Sequence, residues 1–141
     1  MKKGKFLLSV IFALFLGLST ISSADEAYIA SFNILRLGAV KKDIPQTAKL
    51  LQGFDIVGLV EVINRDGVEE LVDELNKQGN EKWDYHISPF GVGSSKYKEY
   101  FAYVYKKDKV KFIKSEGFYK DGKSSLLREP YGATFKIGNF D

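Results

Sequence analysis

Residues 54–62 read Phe54-Asp55-Ile56-Val57-Gly58-Leu59-Val60-Glu61-Val62, an unbroken apolar run flanked by an aspartate and a glutamate. A strand with one wet face alternates apolar and polar residues, whereas a continuous run marks a strand buried on both faces in a sheet with helices packed over it. The fold class follows from what surrounds this strand. Upstream, Ala27 to Phe32 is apolar with aromatic and β-branched residues and ends in Asn33, which predicts a first strand. Between the two strands, Pro45 after Asp43 marks a helix start, Ala48, Leu50 and Leu51 supply its apolar face, and Gly53 suits its end.

Downstream, Asp66 and Gly67 lead into Val68, Leu71, Val72 and Leu75, whose spacing of three, four and seven forms one helical stripe closed near Gly79. The order so far is β-α-β-α. The rhythm then changes to short β-rich segments: Trp83 to Ile87, Tyr100 to Tyr105, Val110 to Phe118 and Ala133 to Ile137, with Lys107-Asp108-Lys109 as a hairpin turn. The pattern predicts a mixed α/β chain with a strand meander, and no internal repeat or low-complexity tract divides it.

The N-terminus has a different grammar. Lys2, Lys3 and Lys5 precede an apolar run from Phe6 to Leu18, followed by Ser19, Thr20, Ser22, Ser23 and Ala24. A basic start, a short apolar core and small residues predict a secretory signal peptide over residues 1–24, cleaved before Asp25, because a spanning helix needs about 20 apolar residues. The expected location is therefore secreted or periplasmic, with no membrane anchor after cleavage. The chain has no cysteine, so neither a disulfide nor a lipid-bearing thiol is available. Its formal charge of +3 disappears with the leader. A sign asymmetry remains: residues 25–95 carry 7 basic and 12 acidic side chains, and residues 96–141 carry 11 and 6. The second segment reads either as a face for a polyanion or as a solvated lysine-rich hairpin.

Three groups of residues could carry chemistry. Glu61 follows the buried strand, at the C-terminal edge where open α/β sheets place ligands, and reads either as a ligand-binding carboxylate or as a group emerging into solvent. Asn33 ends the neighbouring strand, and neighbouring strands lie about 5 Å apart, so the two polar groups form a cluster. The second group is Ser94-Ser95-Lys96-Tyr97-Lys98-Glu99, between a glycine-bearing loop and the strand from Tyr100. The third is Arg128-Glu129-Pro130-Tyr131, where the guanidinium suits bidentate contact with phosphate or a surface ion pair. The single histidine, His86, falls inside a predicted strand without a carboxylate pattern around it and reads as structural.

In order along the chain, Ser31-Phe32-Asn33-Ile34, the stretch 54–62, Ser95-Lys96-Tyr97-Lys98-Glu99-Tyr100 and Arg128-Glu129-Pro130 resemble the deoxyribonuclease I branch of the endonuclease/exonuclease/phosphatase superfamily. The resemblance covers Ala27 to Asp141. It implies the N-terminal half of a four-layer α/β sandwich, a mixed β-sheet with helices on its outer face, so that residues 25–141 form a partial domain. It also implies DNA as the partner, with no stable protein partner, and a phosphodiesterase reaction dependent on Mg²⁺, with Ca²⁺ or Mn²⁺ as substitutes. Glu61 would bind the metal, and Asn33 would orient that site and the scissile phosphate. Glu99 would orient a catalytic histidine, and Tyr97 and Arg128 would touch the nucleic-acid backbone.

Departures from the family pattern accompany these implications. The family's catalytic histidines and its second group of Asp and Asn ligands come in a later half, so the chain alone is expected to be inactive. Ile63 stands where the family has an arginine two residues after the metal glutamate. The loop 121–127 lacks the cysteine pair and length of the vertebrate calcium loop, so that calcium site is not expected. Two other readings are the same fold acting on a phospholipid or inositol phosphate, and a non-catalytic truncated product.

Overall fold

The computed structural model describes residues 26–120, 122–123 and 125–139. The signal-peptide expectation for residues 1–24 lies outside them. Within them the order is β1 (Ile29–Leu37), α1 (Ile44–Leu51), β2 (Ile56–Val62), α2 (Arg65–Gln78), β3 (Trp83–Ile87), β4 (Val92–Gly93), β5 (Lys98–Lys106), β6 (Val110–Phe118) and β7 (Tyr131–Ile137). The β-α-β-α opening is as the sequence predicts, and the chain is mixed α/β. The later strands are not a simple meander, because β5 pairs with β2, β3 and β4 while β6 pairs with β7 in a separate sheet, so Lys107-Asp108-Lys109 is a turn between two sheets and not a hairpin turn.

The main sheet runs β1-β2-β5-β3, with the short β4 paired to β5. The first two strands are parallel and β5 is antiparallel to both β2 and β3. Each helix begins where the sequence supplies an acceptor. Asp43 accepts the Gln46 N–H at 3.0 Å and Asn64 accepts the Gly67 N–H at 2.9 Å, caps of about 1 kcal/mol each. The α2 stripe of Val68, Leu71, Val72 and Leu75 is buried as its spacing requires. On α1 the buried residues are Ile44, Ala48 and Leu51, while Leu50 is 56% exposed. Leu50 follows Lys49 on the solvent side, so the apolar face of α1 starts one turn earlier than expected, at Ile44.

Both helices cover one face of the sheet, where Val57, Leu59, Val62, Ala102 and Val104 join the helix residues in one core. The other face differs from the two-sided burial predicted for β2. Gly58 and Val60 are only half-buried, and with Ile29, Phe101, Tyr103 and Phe135 they line an open apolar cleft of about 570 Å³. Among the described residues this face is covered by the β6–β7 hairpin alone, which rests on it through Val110, Phe112, Phe135 and Ile137 against Ile56 and Tyr105. His86 lies under the same hairpin, 4.2 Å from the Phe112 ring centroid, with Nε2 2.7 Å from the Tyr131 hydroxyl. Burial, and then the charge of Arg65, pull its imidazole below the ordinary histidine range.

At the end of the sheet away from Glu61, Asp55 fixes three strands. Its carboxylate accepts from the Tyr28 N–H at 3.0 Å and meets the ammonium groups of Lys109 at 3.2 Å and Lys106 at 3.5 Å. Its carbonyl accepts the Lys106 N–H at 2.9 Å. Burial alone would push this carboxyl up, but the Tyr28 N–H and the two lysines outweigh it and hold it below the usual carboxylate range. The folded-state value thus lies below the unfolded one of about 3.9. Asp55 contributes stability that is fully present above that unfolded value and is lost as pH falls through the folded one. Asp55→Asn, which leaves the buried Lys106 without its counter-charge, is expected to lower stability at neutral pH by about 3 kcal/mol. It should also flatten the acid limb of the stability profile, as measured by urea unfolding between about pH 3 and pH 7. A wild-type acid limb in the variant would show that Asp55 does not carry it.

Candidate active site

The C-terminal ends of β1 and β2 do not stay in register, and the candidate site is built on that break. Asn33 pairs with Val60 and Leu37 with Val62, so Ile34, Leu35 and Arg36 on β1 stand opposite Glu61 alone. On the other side of β2, Leu59 pairs with Ala102 and Val62 with Tyr100, so Val60 and Glu61 oppose the single residue Phe101. This is a β-bulge, and bulges re-aim side chains at sheet edges. Three non-glycine residues adopt left-handed backbone here: Leu35 (φ 47°), Arg36 (φ 60°) and Glu61 (φ 62°). Each costs roughly 1–3 kcal/mol unless the surroundings impose it.

The surroundings do impose it. Asn33 Nδ2 donates to Glu61 Oε1 at 2.7 Å, while Asn33 Oδ1 accepts the Leu35 N–H at 2.8 Å. One amide therefore ties the Glu61 carboxylate to the distorted turn of β1. The turn is held from behind by the Ile63 N–H donating to the Leu37 carbonyl at 2.8 Å and by Asn64 Nδ2 donating to the Gly38 carbonyl at 3.0 Å. Gly38 (φ +88°) is pressed against Asn64, whose Oδ1 would lie 2.1 Å from a Cβ at that position, and a Cβ at Gly67 would lie 2.8 Å from the Gly38 backbone. Any larger residue at either glycine would push the turn away from the start of α2.

The second half of the site enters from β5 and from the segment before β7. Glu99 is buried near the start of β5, and its Oε2 accepts from Arg128 Nε at 3.0 Å. The Arg128 guanidinium carbon lies 5.7 Å from the centroid of the Tyr97 ring, and that of Arg36 lies 5.3 Å from the same centroid. Tyr97 joins the two halves electrostatically. Partial burial, the neighbouring Glu99 carboxylate and the charge of Glu61 raise its phenol above the ordinary tyrosine range, against the opposing pull of Arg36.

All five residues singled out in the sequence thus come to one edge of the sheet, Asn33 with Glu61, and Tyr97 with Glu99 and Arg128. Arg36 escaped the sequence reading, which ended the first strand at Asn33. Nothing in the residue types marks a left-handed Leu-Arg pair, and the available signal was the polar residue between Leu35 and Leu37 in an otherwise apolar strand end. Glu61 lies within β2 rather than after it. Ile63 brings no charge to the site and serves it through its backbone. His86 remains on β3 among aromatic rings, and Glu99 has Arg128 as its partner there.

The donor set fits a hard, hydrated cation. Asn33 occupies one Glu61 oxygen and leaves the other available, and the Asn33 carbonyl oxygen accepts one hydrogen bond and has capacity for a second interaction. Mg²⁺ is commonly held by one or two carboxylates together with waters and substrate phosphate. Among the described residues no group of three His, Asp or Glu side chains could form a closed cage of the kind Ca²⁺ takes.

This is a half-sandwich of mixed α/β type with a carboxylate–amide pair and a Tyr-Glu-Arg cluster at one sheet edge, and comparison with known proteins agrees with it. No family model matches the chain. It is 31% identical over 114 residues to a deoxyribonuclease of Thioalkalivibrio sp. (strain K90mix), covering 80% of this chain and 31% of that protein. It is 32% identical to mouse deoxyribonuclease-1 over 119 residues, 76% of this chain and 41% of the relative, and 28% identical to mouse deoxyribonuclease-1-like 2 over 123 residues, 83% and 44%. Its curated homologues are thus deoxyribonucleases, and its reach along them, under half their length, is that of an N-terminal half of a DNase I-like protein.

Because Glu99 raises the Tyr97 phenol, Glu99→Gln is expected to lower the Tyr97 titration midpoint toward about 10, the ordinary tyrosine value. NMR of ¹³Cζ-labelled tyrosine reads this residue by residue. An unchanged Tyr97 midpoint in Glu99→Gln would mean that the two side chains do not interact in solution.

Proposed function

We propose that this chain is the N-terminal, phosphate-binding part of a secreted, Mg²⁺-dependent endonuclease that hydrolyses DNA phosphodiesters. The observation that carries this reading is the convergence of Asn33–Glu61 and Glu99–Arg128 on Tyr97 at one sheet edge. Support comes also from its relatives, which are deoxyribonucleases by name. For secretion the support is the leader pattern of residues 1–24.

In this reading Glu61 would hold Mg²⁺ with Asn33 beside it, and the metal would supply charge stabilisation on the phosphate oxygens and a more acidic bound water. Asn33 keeps the Glu61 carboxylate at the sheet edge and prevents its rotation. Arg128, with Nε committed to Glu99, offers its terminal N–H groups to a backbone phosphate, and Tyr97 adds a hydroxyl beside it. Glu99 fixes the Arg128 plane, which bidentate recognition of phosphate requires. Proton transfer to or from the attacking water needs a further group, and the His86 imidazole, packed against Phe112 and Tyr131, is not placed at this edge.

The chain alone is therefore expected to leave supercoiled plasmid intact in Mg²⁺, and turnover that disappears in His86→Ala would overturn the assignment of His86 as structural. Joined to the remaining part of a deoxyribonuclease relative, it should nick plasmid. In that protein Glu61→Gln should lower the rate by about a hundredfold or more and weaken Mg²⁺ binding in calorimetry. Arg128→Ala should weaken DNA binding with Mg²⁺ affinity preserved. Full activity of Glu61→Gln would remove the metal assignment, and cleavage of a phosphoinositide in place of DNA would replace the substrate.

A further inference from the structure

Arg36 is an exposed guanidinium at the candidate site, and its backbone is costly to maintain. It stands in the β1 excursion with φ 60°, a conformation that disfavours residues with a Cβ. Its carbonyl accepts from the N–H groups of Ala39 at 3.0 Å and Val40 at 3.2 Å, while the Asn33 side chain pins the residue before it and the Ile63 N–H pins the residue after it. The backbone of Arg36 is thus fixed on both sides by bonds that would form equally well around a glycine. What the arginine adds is a guanidinium held over Tyr97.

That guanidinium has no ion-pair partner among the described residues, and its side-chain donors meet no acceptor there. Arg128 converges on the same ring with Nε spent on Glu99 and, among the described residues, no ion pair at its terminal nitrogens. Two cations drawn to one phenol repel each other, and the ring face returns only about 0.5–1 kcal/mol for each at an exposed site. An anion with several acceptor oxygens turns that repulsion into attraction, and a planar guanidinium with free N–H groups matches a phosphodiester in a way a lysine does not.

We propose that Arg36 binds a phosphodiester of a nucleic-acid strand, and that with Arg128 and Tyr97 it forms a clamp that sets the strand's register over Glu61. This rests on the reading of the chain as the DNA-binding part of a nuclease, and it adds a residue whose contribution is to position the strand. Because the clamp and Glu61 share the Asn33 anchor, a phosphate on Arg36 fixes the distance from the strand to the carboxylate without passing through any flexible segment.

The test uses the full chain in EDTA, with a fluorescently labelled DNA duplex titrated by anisotropy over about 50 to 200 mM salt. Arg36→Gln is expected to weaken binding about three- to tenfold and to make the log–log salt slope shallower by about one, as loss of one phosphate contact requires. Arg36→Lys should restore the slope while binding less tightly than wild type, since the charge returns without the planar fork. Wild-type affinity and slope in Arg36→Gln would overturn the proposal. A second measurement follows the Nε–H resonances of Arg36 and Arg128 in the wild-type chain on addition of diethyl phosphate, with both expected to move together. If Arg128 alone moves, or neither does, the clamp is refuted even where DNA binds. If both move but no duplex binds, the clamp stands as a phosphodiester site and the DNA reading fails. Binding to phosphatidylinositol-containing vesicles without binding to duplex would overturn the nucleic-acid assignment.

Discussion

The side-chain amide of Asn33 is the constraint on which the candidate site depends. Its nitrogen holds Glu61 at 2.7 Å and its oxygen holds the Leu35 N–H at 2.8 Å. These bonds act on a place where β1 and β2 have lost register and three non-glycine residues carry positive φ. A strained bulge of this kind would relax into a regular parallel ladder if nothing opposed it, and relaxation would turn Glu61 and Arg36 away from their present directions. A short amide is well suited to opposing it, since one planar group donates and accepts at once and has few rotamers to lose.

The anchor works only because the register below it is fixed. From Ile29–Ile56 to Asn33–Val60 the two strands pair without a break, and the alternation of Val57 and Leu59 into the helix-covered core forbids a one-residue slip. Asp55 fixes the far end, joining the residue before β1 to β2 and to Lys106 of β5. The helical side behaves as the finished side of the sheet, with Leu71, Leu75 and Val68 wholly buried. On the opposite side the hairpin carries His86, Phe112, Phe135 and Tyr131 as an aromatic layer and leaves Gly58 and Val60 facing an apolar cleft.

Much of this was legible in the sequence because the physics that set it is periodic. The run 56–60 has no polar member, the α2 stripe repeats at helical spacing, and capping residues stand in front of both helices. The adjacency of Asn33 and Glu61 was legible for a related reason, since both follow apolar runs that had to be neighbouring strands. What was not legible is aperiodic. Left-handed backbone at Leu35, Arg36 and Glu61 is imposed by tertiary bonds from Asn33, Ile63 and Asn64, and no local preference of leucine, arginine or glutamate announces it. Arg36 was missed on that account. Leu50 is exposed because Ile44, Ala48 and Leu51, spaced at i, i+4 and i+7, take the buried face of the helix, and Leu50 lies about 100° around the axis from Leu51.

On the proposed reading, the charge arrangement at the edge accounts for a cation and an anion bound there together. Glu61 and Glu99 face Arg36 and Arg128, two of each sign, arranged around one phenol. Two contacts are already made, Arg128 with Glu99 and Asn33 with Glu61, and what remains among the described residues is one oxygen of each carboxylate and the other N–H groups of two guanidiniums. A divalent cation alone would satisfy the carboxylate and add to the repulsion on the arginines, whereas an anion alone would satisfy the arginines and meet two carboxylates. On the proposed reading a metal-bound phosphodiester would meet both demands at once, with the cation toward Glu61 and the remaining phosphate oxygens toward the arginines. Tyr97, whose phenol is raised by partial burial and by the two carboxylates against the opposing pull of Arg36, lies between the two halves of the site.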